Sequence, residues 1–213
     1  MKKTIITLMA LAGVAAADVA DLTIQDKAIT LSNEMLELTL TSIAGASSTG
    51  GTYAPDEVTG AEGFSPKIQF VQNNNEDCYW MLTFTLENKS EKDICIDGLG
   101  LTMQSTTSTG GNHTAGIGVV TNTLTIGGAE YTGTLTLGAN SASGTGVITT
   151  NYTLAAGAIE EVSLKVQRTK AGALTGFAAV TAGTLSYTVV PEPATATLSL
   201  LALAGLAARR RRK

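Results

Sequence analysis

The sequence predicts an all-β protein: an antiparallel β-sandwich or jelly roll, with an N-terminal signal helix before it and a short C-terminal transmembrane helix after it. Three observations carry this expectation. Between Asp18 and Val190 apolar residues recur at every second position, the period of a strand with one buried face, and no helical stripe competes with them. The alternating segments are rich in threonine and are separated by glycine-containing loops, as short antiparallel strands require. The two ends differ from this middle, each joining an apolar run to a cluster of cations. The chain therefore divides into residues 1–17, 18–190 and 191–213.

At the N-terminus, Lys2 and Lys3 precede the apolar stretch Thr4 to Val14, and the small residues Ala15, Ala16 and Ala17 follow. This is the order of an export signal, too short for a stable span, with Ala15 and Ala17 at the cleavage site and Asp18 as the new N-terminus. Cleavage after Ala20 is the alternative.

The strands follow in order. Leu36, Leu38 and Leu40 alternate with Glu37 and Thr39. Cys78, Trp80, Leu82, Phe84 and Leu86 share one face, with Tyr79, Met81, Thr83, Thr85 and Glu87 on the other. Later come Leu124 and Ile126; Tyr131, Leu135 and Leu137; Val162, Leu164 and Val166; and Leu185, Tyr187 and Val189. About nine or ten such segments, each with a face to cover, suit two packed sheets. The Thr/Gly-rich stretch 114–150 makes a β-solenoid the runner-up, but it has no fixed period. Thr121, Thr123 and Thr125 could stack beside Thr132, Thr134 and Thr136.

Two cysteines, Cys78 and Cys95, could form a disulfide in an oxidising compartment or remain buried thiols. In a simple hairpin around Glu87 to Asp93, Leu86 faces Ile94 and Cys95 lies near Thr85. Cys78 is then roughly 23 Å away, far beyond the ~7 Å that a bridge permits between Cα atoms. A bridge requires the two segments to lie on different sheets or to cross.

The last 23 residues begin with Pro191, Glu192 and Pro193, continue with 15 uncharged residues rich in Leu and Ala, and end with Arg209, Arg210, Arg211, Arg212 and Lys213. The prolines hold the chain extended, so a helix can start only at about Pro193. Sixteen residues from there span roughly 24 Å at ~1.5 Å each, a marginal membrane crossing that relies on the arginines snorkelling. The cations stay on the cytoplasmic side, and everything before Pro191 faces outward.

These features resemble the PEP-CTERM sorting signal of exopolysaccharide-producing Gram-negative bacteria, also known as the C-terminal domain of some ice-binding proteins. The resemblance implies that an integral membrane transpeptidase-like enzyme, the exosortase, recognises Pro191, Glu192 and Pro193 and removes or replaces the tail. It covers about 25 residues and implies nothing about residues 18–190. A plain C-terminal membrane anchor is the alternative.

Without its two ends the chain keeps seven cations against 17 acidic residues, a formal charge of −10 where the whole chain has −4. Such a domain is repelled by nucleic acid and by anionic membrane, so no nucleic-acid partner is expected.

No catalytic or metal-binding constellation is legible. His113 is the single histidine and stands in a Gly-Gly-Asn-His-Thr loop without a spaced partner. Asp93 and Asp97 bracket Cys95 with Glu91 nearby, a set that could hold Ca²⁺ or make an ordinary acidic turn; Asp56, Glu57 and Glu62 pose the same choice. Asn73 to Asp77 could line a sugar-binding loop or simply begin a strand, and the sequons at Asn88, Asn112 and Asn151 are assigned no role. The expectation is a non-enzymatic exported domain, transiently in the inner membrane and then at the cell surface or in the matrix. Its work would be adhesion, structure or polysaccharide contact, with Tyr53, Tyr79, Tyr131 or Tyr152 beside polar groups marking a groove. The rival is a glycan-active hydrolase on a sandwich scaffold, which needs two apposed carboxylates.

Overall fold

The computed structural model describes residues 17–25, 28–46, 79–106, 118–138, 140, 143–171 and 177–191. Their regular structure is entirely β: β1 (Asp18–Asp21), β2 (Thr23–Gln25), β3 (Ala28–Ser32), β4 (Leu36–Ala46), β5 (Tyr79–Asn88), β6 (Ile94–Thr106), β7 (Gly118–Ile126), β8 (Ala129–Leu137), β9 (Ser143–Leu154), β10 (Ile159–Ala171) and β11 (Phe177–Val189). They form a four-stranded sheet, β1-β11-β6-β9, and a seven-stranded sheet, β2-β3-β4-β5-β10-β7-β8. Every pairing is antiparallel, so the expected sandwich is formed and the solenoid is not. The signal and tail helices of the sequence reading lie outside the described residues.

The period-two pattern places the core between the sheets. In β5, Trp80, Leu82, Phe84 and Leu86 are buried, and in β10 Val162, Leu164 and Val166 face them along the same sheet. The four-stranded sheet supplies Ile94, Ile96, Leu99, Leu101, Met103, Ile148 and Leu185 from the other side. β6 changes parity, with Ile94 and Ile96 inward and then Leu99 and Leu101. A bulge at Asp97 against β11, where Ile96 pairs with Tyr187 and Gly98 with Ser186, absorbs the extra residue, and the Thr150 hydroxyl donates to the Ile96 carbonyl there. The void left in the middle is about 20 Å³ and wholly apolar, lined by residues such as Leu22, Ile29, Leu99 and Leu185, so it offers a polar ligand nothing.

Both lateral edges are drawn together. On one side the chain crosses from sheet to sheet at Leu22, whose N–H donates to the Gly183 carbonyl at 2.8 Å. On the other, β8 and β9 approach backbone to backbone. A Cβ on Gly133 would lie 2.7 Å from the Val147 carbonyl oxygen, and one on Gly144 would lie 2.6 Å from that of Thr136, so only glycine permits this contact.

The strands also give the sandwich two unlike poles. One carries the close turns Asn33–Met35, Lys89–Asp93, Gly127–Gly128 and Ala155–Ala158, together with the end of β11. Strand ends bordering residues 47–78, 107–117 and 172–176 gather at the other. At the close-turn pole the segments Cys78–Leu86 and Ile94–Met103 take the second of the two arrangements open to them, on different sheets and not as a hairpin: β5 pairs with β4 and β10, and β6 with β11 and β9. Asn88 turns the chain over between sheets. Its buried Nδ2 donates toward the carbonyls of Lys92, Leu154 and Ala155 at 2.8, 3.1 and 3.0 Å, and its Oδ1 accepts from the Ser90 N–H and hydroxyl. That geometry favours an arch over a two-strand turn.

Candidate functional site

The best-defined polar and aromatic cluster sits at the close-turn pole, where β8, β9 and β10 begin or end. Tyr152 is an inward position near the end of β9, and Tyr131 is an inward position near the start of β8; both are half-buried and pack on the rim of the core. From β10, half-buried Glu160 presents Oε1 to the Tyr152 hydroxyl, which donates at 3.0 Å. The turn between β7 and β8 completes the wall. Gly127 and Gly128 adopt φ of 57° and 80°, and a Cβ on Gly127 would come within 2.6 Å of the Tyr152 hydroxyl oxygen. Glycine is thus required twice at this position, for its left-handed backbone and for the ring lying against it.

The electrostatics follow from this enclosure. Burial, then the hydrogen bond and charge of Glu160, raise the Tyr152 phenol above its ordinary 10.0, with Tyr131 adding a smaller push. The phenol therefore keeps its proton at neutral pH and donates it to Glu160 Oε1. Two aromatic rings beside a carboxylate can offer apolar faces to C–H groups and acceptors to hydroxyl groups.

The remaining sequence candidates are dispersed. Asp93 precedes β6 and its Oδ1 accepts from the Ala156 N–H at 3.0 Å, whereas Asp97 accepts from the Thr188 hydroxyl at 2.6 Å on the outer face of the four-stranded sheet. Among the described residues no group of three or more His, Cys, Asp or Glu side chains comes together as a metal site. Cys95 is a half-exposed free thiol 3.5 Å from Asn151 Oδ1; burial first, and then Asp97, raises it above 9.0. Cys78 lies outside the described residues, as do His113, Tyr53, Asp56, Glu57, Glu62 and residues 73–77. Tyr79 lies on the outer face of the seven-stranded sheet, with Lys165 Nζ 4.6 Å from its ring centroid. The threonines stack in part as anticipated: Thr121 pairs with Thr134 and Thr123 with Thr132, but Thr125 meets Glu130 and Thr136 meets Val119.

Of the terminal signals, Ala17 and Pro191 are exposed at the limits of the described residues. Ala15, Glu192, Pro193 and the cations Arg209 to Lys213 fall outside them. Val190, the residue before Pro191, donates its N–H to the Asp93 carbonyl at 2.8 Å. Among the described residues no helix is long and apolar enough to cross a membrane.

Residues 189–213 match the PEP-CTERM protein-sorting motif, so the match begins on the last residue of β11. The motif implies export, membrane anchoring before processing, and an exosortase as the processing enzyme. No curated protein matches the chain. Among solved structures, the chain is similar to the CBM35 of Abf62 from Cellvibrio japonicus, with 18% identity, 73% of this chain and 94% of that one covered, and a TM-score of 0.31. It is also similar to a Xyl-CBM35 solved with a glucuronic acid containing disaccharide (19% identity, 72% and 88% covered, TM-score 0.30). A third likeness is to the enzymatically active domain of tailspike protein 4 from bacteriophage CBA120 (10% identity, 82% and 19% covered, TM-score 0.32). All three are loose likenesses of β architecture.

Proposed function

We propose that residues 18–190 are a non-catalytic domain, displayed at the cell surface or in the extracellular matrix, that contacts polysaccharide through the Tyr131, Tyr152 and Glu160 rim. The signal peptide exports it, the tail holds it transiently in the inner membrane, and an exosortase removes the tail. The observation that carries the contact is the pairing of two half-buried tyrosines with a hydrogen-bonded carboxylate at one rim. A hydrolase needs a second carboxylate free to act with the first, and here the Glu160 oxygen is engaged by the Tyr152 hydroxyl. Cleavage after Ala17 fits β1, because all four of its residues then remain to pair with β11; cleavage after Ala20 would remove three of them.

The test begins with the protein recovered from envelope and medium, its mass and both termini mapped, where ends near Asp18 and Pro191 are expected. Gel retardation by a panel of self and host polysaccharides follows, for the wild type, Tyr131→Ala and Glu160→Gln. Retardation that weakens about tenfold in both variants, a loss of one good contact, supports the reading. A wholly negative panel overturns the polysaccharide contact, and release of sugar from any member overturns the non-catalytic assignment.

A further inference from the structure

The close-turn pole holds both ends of the exported domain. Asp18, the first residue of β1, is the Cα partner of Tyr187 in β11, so the two ends leave adjacent strands of one sheet in opposite chain directions. Val189 is still paired with Ile94, and Val190 is hydrogen-bonded to Asp93. Pro191 therefore follows the last bonded residue with no linker between. From Val190 to Pro193 the chain can extend at most about 11 Å, at ~3.6 Å per residue.

An enzyme that grips Pro191, Glu192 and Pro193 at a membrane surface must therefore come within side-chain reach of the sandwich itself. The part it meets is set by what surrounds Val190. Asp93 lies there with Ala156 bonded to its carboxylate, and Lys92 precedes it in the same turn. Asn33 Nδ2 donates to the Tyr187 hydroxyl at 3.3 Å, which brings the β3–β4 turn to the same place. The exposed charges of these segments are Asp18, Glu34, Glu91 and Asp93 against Lys89, Lys92 and the α-ammonium that cleavage leaves at Asp18, a net negative set. An acidic surface of this kind is repelled by anionic lipid and attracted by a cationic protein surface.

We propose that the close-turn pole, centred on Lys92, Asp93 and Asp18, is a docking surface for the membrane enzyme that reads the Pro191–Pro193 element, and that this enzyme carries complementary cationic groups around its entrance. The inference rests on the sorting reading above. It adds that recognition includes the folded domain in a fixed orientation, pole toward the membrane and the ends bordering residues 47–78 and 107–117 away from it.

The test uses the full chain in its producing cell. A photoreactive amino acid is placed at position 92 in the docking pole, at position 136 near the opposite end of β8, or at position 194 in the tail. The same three sites are repeated with a Gly/Ser spacer of about 20 residues inserted between Val190 and Pro191, a coil of roughly 25 Å. The expected result is a crosslink to one membrane protein from position 92 and none from position 136, with the position 92 yield falling at least about fivefold in the spacer chain while position 194 keeps its yield. Equal yields from positions 92 and 136, or a position 92 yield indifferent to the spacer, would overturn the docking surface while leaving the sorting reading intact. If the tail persists in the wild type and position 194 finds no membrane protein, both the sorting reading and the surface built on it fall.

Discussion

Among the described residues two asparagines, Asn88 and Asn122, are fully buried, and replacing them should have opposite effects. Asn88 is completely engaged: Nδ2 faces three carbonyls and Oδ1 accepts two hydrogen bonds from Ser90. Its amide has only two hydrogens, so the three carbonyl contacts amount to two full bonds, and with the two from Ser90 about four bonds are lost in Asn88→Ala. At about 1 kcal/mol net for each, reduced because the carbonyls at the pole can rehydrate, the loss is about 3 kcal/mol, or roughly 10 °C in Tm for a chain of this size. Asn122, by contrast, is buried with no partner for either Oδ1 or Nδ2. It faces the core opposite Gly133, on the strand that places Val120 and Leu124 beside it. Asn122→Val removes an unsatisfied amide and suits a strand, so it should be neutral or stabilising by about 1 kcal/mol. Urea unfolding followed by the fluorescence of Trp80, the single and fully buried tryptophan, reports both. The reasoning fails if Asn88→Ala costs less than about 1 kcal/mol, or if Asn122→Val costs more than about 2 kcal/mol, at unchanged m-value.

Three further outcomes follow from the rim and the outer sheet face. Gly127→Ala must strain a positive φ and displace the Tyr152 ring, so it should cost about 2 kcal/mol, read as a shift in urea midpoint. The Tyr152 phenol is raised above 10.0 by burial and then by Glu160, so the folded state holds its proton more tightly than the unfolded state. Its stabilisation is complete below pH 10 and is lost as pH climbs through the folded value; comparing urea midpoints at about pH 9 and about pH 11, Tyr152→Phe should fall less than the wild type. The Cys95 thiol is raised by burial and then by Asp97, so iodoacetamide should label it more slowly at about pH 8 than it labels free cysteine, and unfolding should abolish the difference.

Much of the core was legible because burial imposes period two wherever one face of a strand is covered. Trp80, Leu82, Phe84 and Leu86, and Val162, Leu164 and Val166, all stand inward as the alternation requires. The short strands β1 to β3 were not legible, since three to five residues give too few alternations to separate from a loop. Nor was the assignment of β5 and β6 to different sheets: the connection Lys89 to Asp93 has the length of a hairpin loop, and only the side-chain bonds of Asn88 turn it into an arch. The two tyrosines of the rim could be singled out as candidates from the chain, but Glu160 could not. Its contact with Tyr152 depends on the β9–β10 turn and on Gly127 leaving room for a ring, neither of which has a local signature. The bulge at Asp97 hides in the same way, because Gly98-Leu99-Gly100 reads equally well in either phase. Asn88 and Asn122 look alike in sequence, and only the surroundings distinguish the hub from the orphan.

The poles bring the charge distribution and the attachment together. Half of the chain's cations belong to the two end segments, which leaves a domain of formal charge −10. On the proposed reading this domain is tethered with its acidic pole within about 11 Å of the membrane surface, by a tail whose own cations lie on the far side. That distance is comparable to a Debye length of ~8 Å at physiological ionic strength, so repulsion from an anionic leaflet is felt but modest. Nothing in the pole's charge would hold the domain at the surface once the tail is cut, and the Tyr131–Tyr152–Glu160 rim lies at the same pole as the cut. Removal of the tail would then release the domain and uncover its contact rim in one step. A tailless chain should accordingly bind polysaccharide at least as well as the sorted product, while a chain kept on its anchor should bind weakly until the spacer at Val190 lifts the pole away.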